Sequence, residues 1–393
     1  MKPASWLTRS FNKSLIHPAN EAQHGTRQGA VTEIERYFLF IGPGTKNAGK
    51  LVALNTDSDL DAALGIQPSD LKTQITAARL NGGDRWACLA APIGSEGEWQ
   101  PALEASQQQC FSVEAVVITK PVAKGEELAA MHDAAVSLGN VYGRRVFIMA
   151  ASAGPTPLQA WDEYLLDQKA ITADLAAPRV LVVPQLHGND LGVLAGRLAN
   201  AAVSIADSPM RVATGAVLGL GSVPADKEGI PLPSSIRAEL DKARFSVSQT
   251  YPDYPGVYWG DGNMLDTPAS DYQVIEYLRL ADKAARLVRP LLILRVADRR
   301  LNSTPNSMAV NINALMAPLR RMAKSVKFAG QVFPGEIESP KDGDIVLVWK
   351  SRRGVHQAQA PQLPERPHGE HRPGPFQRRL GVTPHVTYWR QEL

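Results

Sequence analysis

The chain has 393 residues, 44% hydrophobic and 21% charged, a globular balance with length for two or three domains and apolar side chain for a sizeable core. The formal net charge of +3 is unevenly spread: residues 351–393 carry seven Arg, no Lys and three Glu, so residues 1–350 sum to −1. A near-neutral body argues against a dedicated nucleic-acid binder, which needs a basic face on its folded part.

Two cysteines, Cys88 and Cys110, match no metal spacing and make no disulfide scaffold; they read as reduced core residues of a protein folded in a cytoplasm. No segment reaches the roughly 18 uncharged apolar residues of a membrane span, and Met1 to Asn20 holds no apolar run, so no signal peptide is expected.

Residues 1–30 are polar and broken by Pro3, Pro18 and Gly25, an arm without its own core. Arg36–Ile41 and Lys50–Leu54 are dense β-type runs, and the turn-rich Gly42–Gly49 between them predicts a β-hairpin. Gly44-Thr-Lys-Asn-Ala-Gly49-Lys50 spells part of a phosphate-binding loop. Leu51, however, stands where the magnesium-binding hydroxyl belongs, and a strand follows where the phosphates need a helix N-terminus.

Asp57–Leu64 predicts a short helix capped by Asp57 or Ser58. Ser69–Leu80 predicts another, with Leu71, Ile75 and Ala78 on one face and Gly82-Gly83 as the stop. Strand and helix signals then alternate. Strands are expected at Trp86–Ala91, Glu114–Thr119, Arg145–Ala150 and Arg179–Val183. Helices are expected at Glu126–Leu138 (ended by Gly139-Asn140), Pro157–Gln168 and Asp190–Ile205. Such alternation predicts an α/β layer with a largely parallel sheet.

Residues 206–269 are looser and rich in Gly and Pro; within them Gly219-Leu-Gly-Ser-Val-Pro224 lacks the third glycine of a dinucleotide fingerprint. Asp271–Arg289 predicts a helix with Val274, Leu278, Ala281, Ala285 and Val288 on one stripe, capped by Ser270 or Thr267 and kinked or ended by Pro290. Leu291–Leu301 fits helix or strand. Thr304 caps a further helix to about Lys324, with Pro305 at its first position, and Asp344–Lys350 reads as a strand. Residues 351–393 hold six Pro, four of the eight His and almost no apolar periodicity, so no packed structure is expected there.

Chemistry-bearing motifs are few. His187-Gly-Asn-Asp190 follows a strand end, where α/β enzymes place catalytic groups, but no second His or Cys accompanies it. A loop or cap role competes with an α/β enzyme or small-molecule-binding protein built around His187. The acidic pairs Glu126-Glu127 and Asp162-Glu163 sit at predicted helix starts, where the dipole favours them. Arg320, Arg321, Lys324 and Lys327 close a helix, either as dipole complement or as a docking surface for an acidic protein partner. Nucleophile, base and anion hole do not converge, so no catalytic, cofactor-binding or metal residue is assigned. Tyr251-Pro-Asp-Tyr-Pro-Gly-Val-Tyr-Trp-Gly-Asp-Gly-Asn-Met-Leu-Asp266 alternates aromatic and turn residues, a tight aromatic corner offering surface to a partner.

At this corner the sequence resembles contractile tail sheath proteins of tailed bacteriophages and contractile injection particles. The resemblance rests on Gly256-Val-Tyr-Trp259-Gly260, Asn263-Met-Leu265, Asp271-Tyr-Gln-Val-Ile275 and Arg279-Leu-Ala-Asp282. It rests also on Leu60-Asp-Ala-Ala-Leu64-Gly65 followed by Ile75-Thr-Ala-Ala-Arg-Leu-Asn-Gly82-Gly83. It covers roughly residues 35–350. It implies an α/β fold in which an N-terminal arm (1–34) precedes an outward-facing variable body (35–250). A C-terminal α+β core (251–350) faces an inner tube.

The implied role is structural and non-enzymatic. Copies polymerise in six-fold rings or a helix, stitched by terminal arms that add strands to neighbours, and contraction drives the tube through a cell envelope. The implied partners are other copies, a tail tube protein, and baseplate and tail terminator proteins, with no direct nucleic acid and no membrane insertion. The setting is a virion tail assembled in a bacterial host cytoplasm. Arg320, Arg321, Lys324, Trp259 and Asp261 become candidates for tube or subunit contact. A sheath of this type ends in a strand-bearing arm, whereas residues 351–393 read like a shifted frame of GC-rich DNA. Val355–Gln362 read one nucleotide later is compatible with Val-Tyr-Ile-Lys-Leu-Lys-Pro-Leu; a native basic tail, able to bind nucleic acid, is the competing reading.

Overall fold

Within the run Arg36–Ile41 the strand begins only at Phe38, after a turn at Arg36, and the side chains from Phe38 to Ile41 are all buried. A strand apolar on both faces must be covered on both, and the computed structural model, which describes residues 34–95, 97–109, 112–267, 270–296, 298–328 and 331–341, shows how. The strands are β1 (Phe38–Pro43), β2 (Val52–Asn55), β3 (Ala87–Ile93), β4 (Ala115–Val122), β5 (Phe147–Ser152), β6 (Ala177–Pro184), β7 (Ser248–Tyr251), β8 (Tyr254–Trp259), β9 (Met264–Leu265), β10 (Val326–Phe328) and β11 (Gln331–Phe333). The helices are α1 (Leu60–Leu64), α2 (Asp70–Gly82), α3 (Trp99–Gln108), α4 (Gly125–Tyr142), α5 (Trp161–Thr172), α6 (Asp190–Ala199), α7 (Ser234–Lys242), α8 (Ile275–Ile293) and α9 (Pro305–Met322).

Seven strands form one sheet in the order β2-β3-β1-β4-β5-β6-β9. The five from β3 to β6 in that order run parallel, and β2 and β9 close the edges antiparallel. Leu39, Ile41, Val116 and Ile148 point to one face, packed by Leu128 and Met131 of α4, Tyr164 of α5 and Leu240 of α7. Phe38, Phe40, Val117 and Met149 point to the other, packed by Leu71 and Ile75 of α2 and Leu191 and Leu194 of α6. The result is a mixed α/β sandwich with a parallel-dominated sheet between two helical layers.

Helices α2 and α6 approach through small residues. A Cβ on Gly192 would stand 2.1 Å from the Gln74 carbonyl oxygen, and one on Gly196 2.3 Å from that of Ala78. Helices α8 and α9 pack together beside this sandwich, joined to it by a small cluster of Ile205, Leu280 and Met322.

Several expectations are corrected. Gly42–Gly49 is not a hairpin loop, because β3 lies between β1 and β2. That loop closes the end of α1 instead: Thr45 Oγ1, Lys46 Nζ and Asn47 Nδ2 donate to the carbonyls of Leu64, Ala62 and Ala63. Its Thr45-Lys46-Asn47 segment thus satisfies orphan helix carbonyls. Helix α1 is capped by Asp59, not Asp57 or Ser58, with the Asp59 carboxylate accepting from the N–H of Asp61 and Ala62. Ser69 caps α2 as expected.

Helix α4 runs through Gly139-Asn140 and stops only at Gly143, in the left-handed conformation at φ 66°. Helix α5 begins at Trp161 rather than Pro157, since Pro157 and Leu158 form a turn. Helix α6 ends at Ala199, six residues before Ile205. Helix α8 begins at Ile275, capped by neither Ser270 nor Thr267, and passes through Pro290 on its exposed side to Ile293. The loose stretch 206–269 holds α7 and β7 to β9, and α3 had no periodic signal. Thr304 and Pro305 start α9 as expected. The strand expected at 344–350, Cys110, the N-terminal arm through residue 33 and the tail 351–393 lie outside the described residues.

Candidate functional site

Residues three apart on a helix share a face. Arg279 and Asp282 therefore leave α8 together, toward the end of the sheet where the parallel strands begin. Arg279 Nε and Nη2 donate to Glu114, one residue before β4, at 2.8 and 3.0 Å, and Nη2 also reaches the Leu198 carbonyl at 3.1 Å. Asp282 accepts from both terminal nitrogens of Arg179 in β6, at 2.9 and 3.0 Å, with Arg145 at 3.5 Å. The Arg279, Glu114 and Asp282 side chains are at most 3% exposed. Burial pushes the Glu114 carboxyl up, but the Arg279 guanidinium, the Arg36 N–H and Arg286 outweigh it and hold the carboxyl below the usual range.

The next turn continues the pattern. Lys283 Nζ lies 3.4 Å from Glu35 and 2.8 Å from Glu336, and Arg286 lies 3.9 Å from Glu35. Four consecutive contacts thus fasten α8 across the starts of β1, β4 and β6. At the first turn of α8 the chemistry differs. Glu276 Oε2 is shielded from solvent without a hydrogen-bond partner. Burial, with the Asp261 carboxylate nearby, pushes the Glu276 carboxyl up to about 7.

The residues singled out from sequence fall in different places. Trp259 is 0% exposed; its indole packs in the core and donates to Ser246 Oγ at 2.9 Å, so its side chain offers no surface. Asp261 is half-buried in the β8–β9 loop, its carboxyl pushed up by burial. Arg320 and Arg321 form the last turn of α9 and Lys324 follows two residues later, all three exposed on one end of the helix. Of the aromatic corner, Tyr251, Tyr254 and Tyr258 stack on the β7–β8 hairpin and Tyr254 is 53% exposed. His187 Nδ1 lies 2.8 Å from Asp190 and its side chain is 2% exposed, so the pair is buried at the start of α6 rather than facing a cleft. A groove of about 1200 Å³ lies elsewhere, between the start of α4 and the length of α5.

Charge separates along the chain more sharply than the terminal tail suggested. Residues 1–282 hold 23 Lys and Arg against 31 Asp and Glu, whereas residues 283–341 hold 11 against three. The α8–α9 unit is therefore basic and the sandwich acidic. Sequence reasoning missed Glu114, Arg145, Arg179, Glu35 and Glu336 as partners of α8. One signal was available: Glu114 directly precedes a run of buried apolar residues, where a lone carboxylate needs a cation. Among the described residues no group of three or more His, Cys, Asp or Glu is arranged to hold a metal, and no helix is long and apolar enough to cross a membrane.

Comparison with known proteins identifies the family. The family profile for the DUF2586 N-terminal domain matches residues 20–263, and that for the DUF2586 C-terminal domain matches 271–363. The protein assigned as tail sheath in Haemophilus phage HP1 (strain HP1c1) is 42% identical over 334 residues, 83% of this chain and 89% of the relative. Among solved structures, the contracted helical sheath of the anti-feeding prophage superposes with a TM-score of 0.52 at 15% identity, covering 80% of this chain and 92% of that one. The contracted PVC sheath of an extracellular contractile injection system gives 0.52 at 12% identity, covering 81% and 92%. The sheath tail protein of Listeria innocua gives 0.50 at 10%, covering 79% and 89%.

Proposed function

From the premise that this chain belongs to the DUF2586 family of contractile tail sheath proteins, we propose how its parts are used in a sheath. Copies polymerise as rings or a helix around an inner tail tube, and contraction of that lattice drives the tube through a cell envelope. The acidic sandwich (35–250) faces outward and the 251–350 unit, whose positive charge is concentrated in α8 and α9, faces the tube. The β7–β8 hairpin straddles the boundary between them.

The observation that carries this orientation is the charge separation, with Arg320, Arg321 and Lys324 exposed at one end of α9. A basic surface of this kind fits an acidic tube protein and speeds a correct encounter. Asp261 and the exposed part of the aromatic hairpin are candidate subunit contacts. The N-terminal segment (1–34) and the C-terminal arm that a restored frame supplies after Lys350 act as exchange arms, adding strands to neighbouring copies. Baseplate and tail terminator proteins cap the polymer, assembly takes place in the bacterial cytoplasm, and the product is a virion tail.

Negative-stain electron microscopy tests the reading, using the chain as it stands beside a version whose frame is restored after Lys350. Hollow tubes or ordered polymers from either support it. Polymers from the restored version alone would assign the C-terminal arm to assembly and the present tail to a frame shift. Discrete monomers from both, with purified tube protein present, would overturn the homopolymer reading. Arg320→Glu with Arg321→Glu should abolish tube-templated assembly without changing the fold; normal assembly on tubes would remove these residues from the interface.

A further inference from the structure

Lys283 touches the roots of both terminal segments. Glu35 is the second described residue, with 33 residues before Ile34, and Glu336 stands three residues beyond β11, with 52 residues after Lys341. Lys283 Nζ sits between their carboxylates at 3.4 and 2.8 Å. The Lys283 and Glu35 side chains are each 18% exposed and that of Glu336 25%. Two half-buried carboxylates repel one another, and an ammonium with three donors joins them where a single hydrogen bond would not.

Neighbouring contacts fix the geometry. The Glu336 N–H donates to the Met322 carbonyl at 2.8 Å, tying the outgoing chain after β11 to the end of α9. Gly335 lies so close that a Cβ there would stand 2.2 Å from the Ala323 carbonyl oxygen. On the other side, Arg286 approaches Glu35 with two terminal nitrogens shielded from solvent and lacking hydrogen-bond partners. Lys283 itself rides on α8, whose preceding residues are already locked to the sheet through Glu114 and Arg179.

We propose that Lys283 is a positioning residue for lattice assembly, fixing the exit points of the N-terminal and C-terminal segments against α8 so that both reach neighbouring copies in one register. This rests on the homopolymer reading above. Each exchanged strand must arrive at a defined register, because a slip of one residue turns every side chain to the opposite face. A shared anchor makes the two exits one rigid feature, while the Arg279 and Asp282 contacts keep the fold intact without it.

The test uses the full-length chain as wild type, Lys283→Met and Lys283→Arg, with Glu35→Gln plus Glu336→Gln approaching the clamp from the other side. Hydrogen exchange of residues 35–41 and 331–337 is measured on soluble protein, and polymer order by electron microscopy with tube protein present. In Lys283→Met both segments should exchange at least tenfold faster together while β4 and β5 are unchanged. Ordered polymer should be lost or need at least tenfold more protein, and Lys283→Arg should restore both. The double Gln variant should match Lys283→Met, which separates loss of the clamp from a packing defect of methionine. Unchanged exchange, or loss in one segment only, overturns the clamp. Joint loss of protection with wild-type polymers overturns its role in register. Failure of both the wild type and the version with its frame restored after Lys350 to polymerise overturns the homopolymer reading and the lattice role together, whereas the exchange result still decides whether Lys283 ties the two segments.

Discussion

Replacing Arg279 by Met removes one partner of a buried ion pair and leaves the other. Glu114 is 1% exposed, so its carboxylate would keep only the Arg36 N–H as a close donor, with Arg286 farther off. Removing one member of such a pair costs about 3–5 kcal/mol, and the lost bond to the Leu198 carbonyl lies within that figure. Replacing both members, Arg279→Met with Glu114→Leu, removes the stranded charge. It should recover at least half of the loss, short of the full amount because the Arg36 N–H then lacks its acceptor.

The pH dependence follows from the sign of the Glu114 shift. In the wild type its carboxyl is depressed, so the pair's contribution is present above the usual carboxylate range and lost as pH falls through the lower folded value. Without Arg279, burial governs and pushes the carboxyl up. The variant's deficit should therefore be largest near pH 8 and shrink toward pH 5, as Glu114 takes up a proton. Urea unfolding at both pH values, followed by circular dichroism, reads this directly. A single variant within about 1 kcal/mol of wild type at pH 8 would refute the reasoning, as would a double variant no better than the single one.

Other consequences can be checked separately. Burial raises the Glu276 carboxyl to about 7, so its stabilising effect is complete below the ordinary glutamate value and is lost as pH rises through 7. Glu276→Gln should therefore flatten the stability profile between pH 5 and pH 8 and gain up to about 3 kcal/mol at the upper end; a profile as steep as wild type would exclude this residue as its source. Gly196→Ala drives a methyl into the Ala78 carbonyl and should cost about 1–3 kcal/mol in thermal or urea unfolding, whereas Gly188→Ala, facing open space but at φ 84°, tests backbone strain alone. Trp259→Ala should cost about 3–5 kcal/mol through the core. Any assembly defect of Trp259→Ala should track that loss, and one seen under conditions where the variant is fully folded would restore Trp259 as a contact.

Much of the sandwich was legible in the sequence, because parallel strands buried on both faces must be continuous apolar runs. Phe38–Ile41 and Phe147–Ala151 announce themselves in that way. Helix starts were legible where a short polar side chain supplies the missing acceptor, as at Ser69 and Thr304. The resemblance motif around Arg279 and Asp282 was visible too, as were the basic residues of α9. Helix ends were read less well. Gly139 and Pro290 look like stops, but packing on one face carries α4 and α8 past them.

What only the tertiary structure decided is pairing across distance. Nothing local in Gly42–Gly49 says that β3 will slide between β1 and β2, since strand order is set by crossovers and not by turn residues. Glu114 and Arg279 are 165 residues apart, and Lys283 joins Glu35 to Glu336 across nearly the whole described chain. A lone buried charge is unstable in either place. The sequence shows that each charge exists, and folding alone supplies the partner that lets it be buried.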